Sequence, residues 1–119
     1  MRFTLYLKGC TSLLSAPELP ATTLKAGRYC KMFQGCTSLT SAPVLPAKDF
    51  VKDCYLLMFE GCSKLQSVKV LFATEPSEDT TRDWLNGVAA SGTFVKSKDA
   101  TWEVRGAHGI PEGWKVATE

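Results

Sequence analysis

Residues 32–62 read MFQGCTSLTSAPVLPAKDFVKDCYLLMFEGC, a string that opens and closes on the same pattern, Met-Phe-x-Gly-Cys. Gly35 and Gly61 stand 26 residues apart, and one further step upstream falls on Gly9-Cys10. Aligning residues 6–31 with 32–57 gives 12 identities over 26 positions, among them GCTSL, SAP, LPA and the pair Tyr29 and Tyr55. A fixed period of this size marks a repeat architecture, in which each copy leaves an apolar face that only a neighbouring copy can cover. The third copy, from Met58, keeps Met, Phe, Gly, Cys, Leu, Ser and Val70-Leu71, then loses the pattern after Ala73. The count is two full copies and one partial copy.

Within a unit the two halves ask for different backbones. Pro43 and Pro46 remove amide donors and favour extended geometry, with Leu39, Ala42 and Leu45 facing a core. Tyr55, Met58 and Phe59 then fall at i, i+3 and i+4, as do Tyr29, Met32 and Phe33, the spacing of one helix face. Gly35 and Gly61 stand where a helix stops. The unit predicts an extended segment, a bend, a short helix and a stop. Leu13, Leu39 and Leu65 form one expected inward column, and Cys10, Cys36 and Cys62 another.

The pattern MF-x-G-C-[TS]-x-L, recurring in register over about the first 73 residues, resembles the repeats of BspA-type leucine-rich repeat surface proteins of gut Bacteroides. Tyr6-Leu7 and Val68-Lys69 are departures, at the first and third copies, where terminal units meet a cap or solvent. The run W-L-x-G-V, G-T-F, W and G-I-P-x-G-W after residue 83 is similar to a segment that follows such repeats. The resemblance implies a right-handed solenoid with a helix or helical turn per repeat, a place at the cell surface or in secretion, and roles in adhesion. It implies no catalytic residue.

At 119 residues the chain suits one domain. Its 14 Lys+Arg against 12 Asp+Glu are too balanced to draw nucleic acid by bulk charge. No apolar run reaches the roughly 20 residues of a membrane helix, and the start MRFTLYLKGC lacks the h-region and cleavage site of a signal peptide. From Thr74 the balance turns acidic. Ser77 or Asp79 can cap a helix running through Trp84 and Leu85 to about Val88. Phe94-Val95 and Trp114-Val116 then suit a small sheet. The expected organisation is an α/β repeat: a leucine-rich-repeat-like solenoid over 1–75 and a small α+β cap over 76–119, packed on the last repeat.

The chemistry-bearing residues read as structural. The ladder cysteines lack C-x-x-C spacing, so no metal is expected, and small buried thiols suit a narrow turn. Cys30 and Cys54 hold inequivalent positions, and a bridge between them stays open. His108 has no fixed Asp or Cys neighbour, and the glycines of GAHGIPEG match no phosphate loop. Asp49, Asp53 and Glu60 share one segment without a recurring partner carboxylate. The expectation is therefore a non-enzyme without catalytic residues, metal or cofactor. Its contact surface is the exposed repeat face at the positions that vary between copies, Glu18, Thr22, Val44, Lys48 and Asp49, toward a protein or glycan partner. A structural spacer, a phage or mobile-element structural protein, and a glycan-binding platform built on the C-terminal Trp residues are the alternatives. Oligomeric state stays open.

Overall fold

Among the described residues up to Gly87 the backbone returns to the same conformation at 26-residue intervals, and this follows from the bonds between successive passes of the chain. The computed structural model describes residues 7–16, 29–45 and 55–119. Leu7 and Gly9 donate their amides to Met32 O and Gln34 O; Phe33 and Gly35 donate to Met58 O and Glu60 O; Phe59 and Gly61 donate to Trp84 O and Asn86 O. Each of these bonds joins positions 25 residues apart, so a pass is held by the next one through its main chain. Side chains follow suit. Tyr29 lies on Tyr55 with ring centroids 6.2 Å apart, and Phe33 on Phe59 at 5.5 Å, both pairs within 3° of parallel.

The repeated conformation is a run of turns and not the helix that Tyr55, Met58 and Phe59 suggested. Lys31, Leu57 and Asp83 take positive φ values of 59°, 53° and 51°, a conformation that breaks a right-handed helix. The cause is competition for acceptors. The carbonyls of Leu56, Met58 and Glu60 accept amides from the preceding pass, so they are spent before an i to i+4 bond can form. Gly9, Gly35, Gly61 and Gly87 follow with φ between 74° and 82°. A Cβ on Gly61 would stand 3.7 Å from the Gly35 backbone and one on Gly87 3.4 Å from Gly61, so the glycines themselves form a stacked column.

A second set of pairings is a parallel sheet of three strands, β1 (Ser67–Lys69), β2 (Thr93–Lys96) and β3 (Lys115–Thr118), in the order β1-β2-β3. Ser67 pairs with Thr93 and Thr93 with Lys115. An isolated parallel bridge of Ser15 with Ser41 carries the 26-residue offset of β1 and β2 upstream, and a second, of Leu45 with Val70, is offset by 25. The pairing of Phe94 with Val116 joins the two C-terminal stretches. Because β1 lies before residue 75 and β2 and β3 after it, the segment 76–119 shares its sheet with the repeated part.

Among the described residues the one helix is α1 (Glu78–Thr81), preceded by Ser77 in extended conformation. Thr80 Oγ1 accepts the Ser77 amide at 3.0 Å, and Glu78 and Asp79 place negative charge at the helix start. The expected continuation through Trp84 and Leu85 to Val88 does not occur. Arg82 leaves the helix at ψ 125° and Asp83 turns left-handed, because Arg82, Trp84 and Asn86 give their carbonyls to Leu57, Phe59 and Gly61.

The core runs between the two sets of pairings. Phe33, Leu39, Tyr55, Phe59, Leu65, Phe72, Trp84 and Phe94 are fully buried. Trp84 touches Tyr55, Phe72 and Phe94 at centroid distances of 6.2, 6.2 and 5.9 Å, and Trp102 stacks on Phe72 at 5.8 Å. Such pairs add about 0.5–1.5 kcal/mol each beyond the area they bury. Residues 76–119 are thus joined to the repeats by one aromatic cluster. No helix among the described residues is long and apolar enough to cross a membrane.

Candidate functional site

The residues expected on the contact face divide by what the structure describes. Val44 is exposed, at 42%. Glu18, Thr22, Lys48 and Asp49 lie outside the described residues, as does Cys54. Leu14 adds a second exposed apolar side chain, at 69%, and Ser15 and Ser41, paired across neighbouring passes, are also exposed.

The two expected inward columns are buried to different depths along the stack. Leu39, Leu65, Cys36 and Cys62 are fully buried, whereas Leu13 and Cys10, in the first described pass, are half-buried against the core. The thiols have a defined task. Cys36 Sγ donates to Leu7 O at 2.9 Å and Cys62 Sγ donates to Phe33 O at 3.0 Å, so each thiol bonds a carbonyl of the previous pass. Burial pushes both thiols up, and Cys62 reaches about 12. A buried neutral thiol is a poor nucleophile and a poor metal ligand. Cys10, Cys30, Cys36 and Cys62 are all free thiols.

A polar column lies beside the glycines. Gln34 Nε2 donates to Glu60 Oε1 at 2.6 Å and Asn86 Nδ2 to Glu60 Oε2 at 3.5 Å. The Glu60 carboxylate therefore lies between two amides that serve structure. His108 contributes through its backbone, accepting from Thr81 Oγ1 at 2.6 Å. Among the described residues no group of three His, Cys, Asp or Glu side chains could hold a metal ion.

The C-terminal tryptophans do not form an exposed platform. Trp84, Trp102 and Trp114 are all buried. The reason is hydrogen bonding together with area: Trp84 Nε1 donates to Gly109 O at 2.9 Å and Trp114 Nε1 to Ala89 O at 2.8 Å, which turns both rings inward. Trp114 also lies over Gly92, where a Cβ would come within 2.7 Å of its ring. Lys96, in register after Val70, is buried as well. Its ammonium donates to Trp102 O, lies 5.5 Å from the Trp102 ring centre and 4.0 Å from the Glu103 carboxylate.

A cleft of about 340 Å³ opens where the last pass meets the one before it. One wall is Leu85, Asn86, Gly87 and Val88; the other is Gly106, Ala107, Pro111 and Glu112. Its origin lies in the spacing. From Gly61 to Ser67 and from Gly87 to Thr93 the chain takes six residues to reach its strand, but from Gly113, at φ 85°, it takes two to reach Lys115. The shortened pass cannot lie flush. No backbone hydrogen bond joins residues 83–90 to residues 106–113; the bonds from Thr81, Trp84 and Trp114 hold the loop instead. Sequence reasoning missed this cleft, although Gly87 and Gly113 continue the spacing of Gly35 and Gly61 and were its one signal.

No family model, no curated protein and no solved structure matches this chain.

Proposed function

We propose that the chain is a non-enzymatic repeat module, a short leucine-rich-repeat-like solenoid, that presents a regular exposed surface to a protein or glycan partner at the cell surface. The observation that carries this reading is the division of labour along each pass. Residues that recur every 26 positions, such as Phe33 and Phe59, Cys36 and Cys62, and Gly35 and Gly61, are used in packing or in bonds between passes. The exposed Val44 stands where the previous copy has Glu18. Variation at exposed positions on a fixed scaffold is how stacked repeats diversify contacts. The non-enzymatic part of the reading is supported by the inert state of Cys36 and Cys62 and by the structural engagement of Glu60.

A glycan and matrix-protein array probed with the intact chain tests the proposal. Binding that is lost in a combined Val44→Asp, Lys48→Glu, Asp49→Lys variant of unchanged melting temperature supports it. Turnover of a substrate, abolished by one carboxylate or thiol substitution in a folded protein, overturns it.

A further inference from the structure

The cleft between the last two passes is lined by an unpaired main-chain edge. This site is separate from the repeat face, and its test is independent of that reading. In the passes before it, two amides two residues apart bond the next pass: Leu7 and Gly9, then Phe33 and Gly35, then Phe59 and Gly61. The next members of the series are Leu85 and Gly87. Their amides have no partner among the described residues, and both residues line the cleft. The acceptor side is open too. Cys10, Cys36 and Cys62 donate their amides to Leu7 O, Phe33 O and Phe59 O, but Val88 makes no such bond to Leu85 O.

We infer that this edge accepts a short segment of a partner protein, folded in the turn conformation of the preceding passes, as an added rung, with carbonyls i and i+2 of the peptide receiving the Leu85 and Gly87 amides. The walls fit a single peptide segment. Gly87, Ala89, Gly106 and Ala107 let a backbone approach closely, and about 340 Å³ holds a few residues but no folded element. Backbone pairing to an open edge gives affinity, and side-chain surroundings give selectivity. Among the described residues the one charged side chain lining the cleft is Glu112. It faces Asn86 across the cleft, 26 positions on in sequence, so the peptide side chain entering between them is basic.

The chain contains a natural probe. In Thr4-Leu5-Tyr6-Leu7-Lys8-Gly9, the residue in register with Gln34, Glu60 and Asn86 is Lys8. The experiment uses the acetylated, amidated peptide TLYLKGS, residues 4–10 with Ser in place of Cys10, and the intact ¹⁵N-labelled chain observed by NMR. The Leu85 and Gly87 amides should exchange with solvent about a hundredfold faster than those of Phe59 and Gly61 in the free protein, because unbonded edge amides lack protection. Adding the peptide should shift those two resonances and slow their exchange. A peptide with Glu in place of Lys, and the variants Glu112→Lys and Ala107→Trp, should each weaken binding about tenfold, a change of about 1.4 kcal/mol. Protection of Leu85 and Gly87 in the free chain would overturn the proposal, since the loop would already have closed the rung. So would saturation without a shift at those amides, or binding indifferent to both variants. A concentration-dependent shift without peptide would also overturn it, by making a second copy the occupant.

Discussion

At the level of single residues, depth in the stack decides what each repeated side chain contributes. Leu39 is fully buried between passes, so Leu39→Ala should cost about 2 to 5 kcal/mol, read as a lowered urea midpoint. Cys62 is equally buried, and its thiol bonds Phe33 O. Its ionisation is raised from 9.0 to about 12, chiefly by loss of hydration. The folded form therefore holds a proton that the unfolded form releases above pH 9. This contribution to stability is intact below pH 9 and is lost as pH climbs from about 9 toward 12, with a slope of at most about 1.4 kcal/mol per pH unit. A Cys62→Ala variant should lose less stability than the parent over that interval. In native protein, alkylation should mark the half-buried Cys10 and Cys30 well before Cys36 and Cys62; equal labelling of all four would contradict the burial.

At the level of elements, the strongest local signal pointed to the wrong backbone. Tyr55, Met58 and Phe59 recur at helix spacing, yet that spacing also suits three side chains of a turn run pointing into one core. What separates the two is the left-handed residue between them, Leu57, and nothing about a leucine announces it. Its energetic cost, about 1–2 kcal/mol for a residue with a Cβ, is offset by the bond from the Leu57 amide to Arg82 O, a partner 25 residues away. Lys31 repeats the strain at an exposed position. Lys31→Gly should therefore stabilise the chain by about 0.5–1 kcal/mol after the extra freedom of glycine in the unfolded state is subtracted. Lys31→Val should lower the melting temperature. The Gly-Cys period was legible because identical residues occupied identical places. The later passes were not, because Val88 and Trp114 stand where the cysteine would be, and only Gly87 and Gly113 keep the spacing.

At the level of the whole molecule, the boundary near residue 75 separates compositions but not cores. Phe72 meets Trp84 and Trp102, and β1 needs β2 as its partner. Truncation after Thr74 should therefore uncover Val68, Val70 and Phe72 and end cooperative unfolding, visible as aggregation in size-exclusion chromatography. A truncated chain that stays monomeric with the parent's melting temperature would show the two parts to be independent. The ladder from Leu7 to Asn86 has a mechanical meaning as well. Its bonds run from pass to pass, so a tether pulling the first pass away from the last loads them along their own length and breaks them in small groups. The chain should yield by unzipping at low force, each 26-residue pass paying out about 90 Å of contour. Under tension, then, this protein behaves as a coil of stored length and not as a rigid strut.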